Sequence, residues 1–249
     1  MCMTRPLHED WPDATFHVTA RVNWRFWHLE DALNARIFLE ELAESAAKFG
    51  VDILAFVLMS NHYHIVVRSP EACQFRELTT RRRGCRHRRP YPSGHPCASV
   101  LSRFMHRVMQ QTSRRIHTEM ELSGHLWEGR FDRRHIRDAE SLLVRIAYDH
   151  LNPVREEMVK RPEQYARSSA SWWADDLKPA IELLKRPLPF GLQRDDFRRR
   201  LLRYQDSRAF DETVRAVRSE GLSPRSEEGV TLLLEILQEV ESVLPDCGT

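Results

Sequence analysis

The chain has 249 residues and a net charge of +2, and its 41% hydrophobic and 30% charged content supply one sizeable domain with an appendage, or two modest domains. No apolar run approaches the roughly 20 residues of a membrane span, and the opening MCMTRPLHEDWPD has no apolar signal region, so the expected setting is cytoplasmic, with no membrane partner. Five scattered cysteines, an odd number, argue against a disulfide framework.

The strand signal comes first. Phe16, Val18, Ala20 and Val22 alternate with His17, Thr19, Arg21 and Asn23 over Ala14–Asn23, the period of a half-buried strand. Leu29–Phe49 has apolar residues at near-helical spacing and stops at Gly50, as a helix should. Asp52–Met59 and His62–Val67 are β-rich and separated by Ser60-Asn61, which predicts a hairpin.

Glu71–Ser99 has no periodicity and is rich in Arg, Pro, Gly and Ser, so it reads as an exposed basic loop. Val100–Met120 is a predicted helix with Leu101, Phe104, Met105, Val108, Thr112 and Ile116 on one stripe. A loop or short strand over Gly124–Ile136 leads to a helix capped by Asp138 and closed by Pro153. Beyond Trp172-Trp173 the chain reads as several helices. The division is therefore an α+β domain over residues 1–175 and a helical extension over 176–249, whose role the sequence leaves unassigned.

The small net charge hides a division along the chain. Eleven arginines, no lysine and one acid (Glu77) lie between Arg76 and Thr118, whereas seven acids and one base (Arg225) follow from Ser219 onward. Arginine's planar fork suits phosphate, so the basic stretch fits a nucleic-acid backbone, with simple solvation as the plain alternative.

Two patterns carry chemistry. In His62-Tyr63-His64 the strand period turns both imidazoles to one face, where two histidines can chelate a divalent ion; a pair of ordinary surface histidines is the competing reading. Asn61 beside them is of the type that orients a ligating imidazole. Tyr148 and Asn152 stand four apart at the end of a predicted helix, a spacing that shares a face, and a lone helical tyrosine otherwise packs.

These residues resemble the HUH tyrosine transposases, and among them the REP-associated branch. The resemblance rests on Phe16-His-Val-Thr-Ala-Arg21, on Leu58-Met-Ser-Asn-His-Tyr-His-Ile-Val-Val67 and on Gly124-His-Leu-Trp-Glu-Gly-Arg-Phe131. It continues in Tyr148-Asp-His-Leu-Asn-Pro-Val-Arg155, Pro162-Glu-Gln-Tyr165 and Ser168-Ser169, all in the family's order.

The resemblance implies a ferredoxin-like antiparallel sheet with helices on one side, and an enzyme that cuts and rejoins single-stranded DNA beside hairpins. By the same resemblance His62, His64 and Asn152 hold Mg²⁺ or Mn²⁺, and Tyr148 attacks the scissile phosphate to give a 5′-phosphotyrosyl enzyme. Whether one chain or a homodimer completes the site stays open, and a DNA-directed role makes the setting nucleoid-associated. Rival readings are a silent hairpin-binding module for DNA or RNA, and a metal-dependent nuclease in which Tyr148 is structural.

Candidate DNA contacts are Arg21, Arg81, Arg82, Arg83, Arg103, Arg107 and Arg130, with Trp127 and Phe131 as stacking or core residues. The sequence departs from the family at Ser60, where proline is usual, and at Tyr63, which should point away from the metal face. It departs further in the arginine-rich insertion, where Cys85, His87, His95 and Cys97 could be drawn as zinc ligands or read as part of a basic loop.

Overall fold

The computed structural model describes residues 12–71, 100–174, 186–206, 208–224 and 226–243. Its centre is a four-stranded antiparallel sheet of β1 (Thr15–Arg21), β2 (Asp52–Leu58), β3 (His62–Arg68) and β4 (Asp132–Ile136), in the order β2-β3-β1-β4. With α1 (Ala32–Phe49) after β1 and α2 (Val100–Met120) after β3, the chain follows the β-α-β-β-α-β path of a ferredoxin-like fold. The architecture is α+β, as the alternation and helix signals imply.

Local chemistry sets the element ends. The Asp31 carboxylate accepts from the backbone N–H groups of Leu33 and Asn34 at the start of α1, and Gly50 ends that helix in the left-handed region at φ 64°. Asp138 caps α3 (Ala139–His150) by accepting from Ser141 N. Pro153 does not close this helix. Leu151 keeps an α-region backbone, and Pro153 sits in the first turn of the short α4 (Asn152–Arg155), where its missing N–H costs nothing.

The period of two divides the sheet into two unlike faces. Phe16, Val18, Tyr63, Ile65 and Val67 join Phe38, Leu42, Leu101, Phe104 and Val108 in a core beneath α1 and α2. The opposite face carries Val66 together with His17, His62 and His64. Here Leu142, Leu143, Ile146 and Ala147 of α3 pack with α6 (Arg194–Asp206), α7 (Arg208–Ser219) and α8 (Glu227–Val243). The helical extension is thus a second layer, sharing its core with α3 through Phe197, Leu201, Phe210, Val214 and Leu233, all at most 2% exposed.

The outer edge of β2 is covered by the segment leading into α5 (Ala170–Ala174). Leu58 N donates to Arg167 O, Ser169 N donates to Phe56 O, and the Tyr165 hydroxyl donates to Leu58 O at 2.8 Å. Pairing in this way blunts an edge that would otherwise present unpaired backbone groups. No helix among the described residues is long and apolar enough to cross a membrane.

Candidate metal and nucleophile site

At one end of the α3-side face, β1 and β3 bring polar residues into register: Arg21 lies opposite His62 and Thr19 opposite His64, with His17 one diagonal away. His62 is half-buried, and its Nδ1 lies 2.8 Å from Asn61 Oδ1. An amide oxygen only accepts, so Nδ1 carries the proton and Nε2 is the unprotonated nitrogen of the neutral ring. His64 is buried and stacks on His17, with centroids 5.3 Å apart and planes 2° from parallel, while the His62 ring stands edge-on to it at 5.1 Å.

The last turn of α3 lays Asp149 over this pair. Its Oδ2 is 3.1 Å from His17 Nε2 and its Oδ1 is 3.7 Å from His64 Nδ1, and His64 Nδ1 is 3.2 Å from His17 Nε2. All three side chains are at most 2% exposed. Ligand atoms held about 2.0–2.2 Å from one ion lie roughly 3–4 Å apart. The group His17, His64 and Asp149, with its ligand atoms within 4.8 Å of one another, therefore could hold a metal ion. His62 is not a member of that group.

Tyr148 precedes Asp149 and turns sideways from it. The residue is 3% exposed, the Arg155 guanidinium lies 4.3 Å over its ring, and Arg218 of α7 donates to its hydroxyl at 3.0 Å. Arg155 also donates to the Tyr148 carbonyl, tying α4 to the end of α3. Asn152, at the first position of α4, is buried. Between them His150 is fully buried and held from both sides. Gln205 of α6 donates to its Nδ1 at 2.7 Å, and its Nε2 lies 2.8 Å from Ser169 Oγ. Burial pushes the His150 pKa down to about 4, so the ring is a neutral brace between α3, the β2 edge and the extension.

The other expected residues are spread around this centre. Tyr63 points to the opposite face, fully buried against Phe38 and Trp127, and burial pushes its phenol up. Trp127 packs T-shaped on Tyr63 at 5.6 Å and donates from its indole to Met109 O, and Phe131 belongs to the same core. Arg107 pairs with Glu41 and Glu44, and the Arg103 guanidinium lies 5.8 Å over Phe49, both on the α1/α2 side. Arg130 is exposed, and Arg21 is half-buried beside His62. Arg81, Arg82, Arg83, Cys85, His87, His95 and Cys97 lie outside the described residues.

Sequence reasoning did not single out His17, Asp149 or Arg218. His17 was legible as a polar residue on the histidine side of β1, but its diagonal to His64 depends on strand register. Asp149 directly follows Tyr148, and nothing local distinguishes it from a surface acid. Arg218 comes from a segment without a motif.

No protein-family model matches the sequence, and no curated protein matches it. Solved structures similar to the chain include a REP-associated tyrosine transposase bound to a REP hairpin, 17% identical with a TM-score of 0.49, over 72% of this chain and 90% of that one. Another is a candidate transposase from Deinococcus radiodurans R1, 12% identical with a TM-score of 0.35, over 62% of this chain and 92% of that one.

Proposed function

We propose that the chain is a metal-dependent tyrosine transposase of the REP-associated kind, cleaving and rejoining single-stranded DNA beside hairpins. The observation that carries this reading is the pair His62 and His64, each with Nδ1 engaged by a neighbour. In this reading Nε2 ligates from both rings, a tautomer that the Asn61 oxygen sets for His62 and that the Asp149 carboxylate facing Nδ1 favours for His64, with Asn152 as the third donor. In this arrangement Asp149 and His17 orient His64, as a carboxylate behind a ligating imidazole does. Imidazole with amide oxygen admits Mg²⁺ or Mn²⁺, and zinc on histidine chemistry alone. A divalent ion there would supply Lewis-acid polarisation of the scissile phosphate.

The chain's own residues supply the rest. Tyr148 is the nucleophile: its phenol gives up its proton as the oxygen forms a bond to phosphorus, the P–O3′ bond breaks, and the leaving 3′ oxygen takes up a proton, so none is gained or lost overall. The 5′-phosphotyrosyl ester keeps a phosphodiester for rejoining. Arg218 holds the phenol oxygen, so a phosphate reaches Tyr148 when the side chains of α7 give way. Arg21, beside His62, is positioned for the DNA backbone.

A second reading has its own observation, the His17–His64–Asp149 group, in which the ion would sit directly between these three. His62→Ala separates the two: it removes Mn²⁺ binding in the first and leaves it in the second. The overall test is a labelled single-stranded DNA carrying a hairpin, incubated with Mn²⁺ and run on a denaturing gel. A covalent adduct that disappears in Tyr148→Phe is the expected result. Cleavage that survives Tyr148→Phe means a nuclease, and binding without cleavage means a silent hairpin-binding module.

A further inference from the structure

The loop after β1 displays a feature that the chemistry above does not use. Trp24, Phe26 and Trp27 are 78%, 57% and 67% exposed, three of the most exposed large apolar side chains of the described residues. They surround Arg25, also exposed, and His28, whose ring lies 5.6 Å from that of Phe26. Isolated exposed apolar residues need no explanation, whereas three aromatic rings within four positions form a patch.

The backbone beneath them is costly. Phe26 N donates to Asn23 O at 3.2 Å across a tight turn whose two central residues, Trp24 (φ 55°, ψ 14°) and Arg25 (φ 57°), are both left-handed. Asn-Gly is the usual choice for such a turn, because a bulky L-residue there carries steric strain. Trp-Arg stands in its place. Strain of this kind persists only where the surroundings hold it, and it concentrates at functional sites.

The surroundings do hold it. Val22 N donates to Asn61 O at 2.8 Å, Asn23 N to Leu126 O at 2.8 Å and Leu29 N to Ser60 O at 3.0 Å. Arg167 clamps the far side by donating to the carbonyls of Leu29 and Glu30. Asn61 joins the loop to the candidate site: its Nδ2 donates to Arg25 O at 3.3 Å and its Oδ1 accepts from His62 Nδ1 at 2.8 Å. One amide thus fixes both the aromatic turn and a histidine proposed to hold the metal.

We propose that Trp24, Phe26 and Trp27 form a rigid stacking platform for unpaired nucleobases whose backbone runs on into the His62/His64 site. The proposal rests on the transposase reading for its direction and names the part of the substrate that this edge takes. Flat rings interleaved with Arg25 and His28 suit bases and their phosphates, and stacking of this type tolerates any base. The nearby acids do not oppose it uniformly: Asp31 is committed to capping α1, while Glu30 and Glu128 remain exposed at the margin. Continuity with a phosphodiester site favours nucleic acid over a protein or lipid surface.

The test compares the full chain with Trp24→Ala/Phe26→Ala/Trp27→Ala, using fluorescence anisotropy of a labelled dT12 and of a blunt-ended hairpin duplex. The rings are exposed, so the variant should keep its fold. A loss of roughly ten-fold or more per stacked ring is expected for dT12, against less than three-fold for the blunt hairpin. Trp24→Gly supplies a second measurement, since it should raise the melting temperature by relieving the turn while weakening dT12 binding. A drop in binding by a more stable protein cannot come from unfolding.

Unchanged dT12 affinity in the triple variant overturns the platform. So does a change confined to self-association on size exclusion, or to binding of phosphatidylglycerol vesicles. Failure of the parent reading is seen separately: no Mn²⁺-dependent adduct at Tyr148 refutes the transposase, while aromatic-dependent dT12 binding without an adduct still supports the platform.

Discussion

Asp149→Asn is the most informative single change in the candidate site. The substitution keeps shape and one carbonyl oxygen but removes the negative charge facing His17 at 3.1 Å and His64 at 3.7 Å, in a pocket where all three residues are at most 2% exposed. A carboxylate that orients a ligating imidazole contributes about 10–100-fold to metal affinity, which is roughly 1.4–2.7 kcal/mol. At a free Mn²⁺ concentration of about 100 times the wild-type Kd, binding stabilises the fold by about 2.7 kcal/mol; a hundred-fold weaker variant gains about 0.4 kcal/mol at the same concentration. In a chain of this size 1 kcal/mol moves Tm by about 2–4 °C. The Mn²⁺-induced rise should therefore shrink from roughly 5–11 °C to about 1–2 °C. Calorimetric melts with and without Mn²⁺ measure this, and because each protein is its own metal-free baseline, any change in intrinsic stability cancels. Equal Mn²⁺-induced shifts in Asp149→Asn and wild type would refute a metal role for the buried carboxylate, whether orienting or ligating.

Two tyrosine-to-phenylalanine changes should have opposite consequences. Tyr148→Phe loses the hydrogen bond from Arg218, costing about 1 kcal/mol, and abolishes the covalent DNA adduct. The fully buried Tyr63 hydroxyl has no hydrogen-bond partner among the described residues, so Tyr63→Phe should raise stability by about 1–3 kcal/mol in denaturant melts and leave adduct formation unchanged. Gln205→Leu withdraws the donor to His150 Nδ1 inside the core; a loss of about 1–3 kcal/mol is expected, with no loss marking the brace as dispensable. Phe197, fully buried with its ring 4.8 Å from Trp173, reports on the extension: Phe197→Ala should cost about 3–5 kcal/mol in a single cooperative transition. A separate low-temperature transition would mean that the extension melts independently of the sheet.

Much of the framework is written in local chemistry. The alternation of Phe16, Val18 and Ala20 with His17, Thr19 and Arg21 marks both β1 and its two faces, since side-chain direction in a strand follows position parity alone. Gly50 and Asp138 announce their helix ends for equally local reasons, and His62-Tyr63-His64 declares by parity that the imidazoles share a side and the phenol does not. Pro153 shows the limit of such rules, because the same ring that stops one helix is well suited to the first turn of the next.

What tertiary structure decided is who meets whom. His17 reaches His64 through the β1–β3 register, and Asp149 reaches both through the seating of α3. Arg218 reaches Tyr148 because apolar residues of the extension share a core with α3. None of these pairings has a sequence period, since each joins residues 47 to 132 positions apart through the packing of separate elements. The strain at Trp24 and Arg25 is equally invisible in sequence, because the turn becomes left-handed only when Asn61, Leu126, Ser60 and Arg167 hold its ends. The sequence alone determined that two histidines face one way and that a tyrosine stands in the last turn of a helix, four residues before an asparagine. Only packing decided that a buried aspartate stands behind one histidine, and that the tyrosine lies beneath a helix from the far end of the chain.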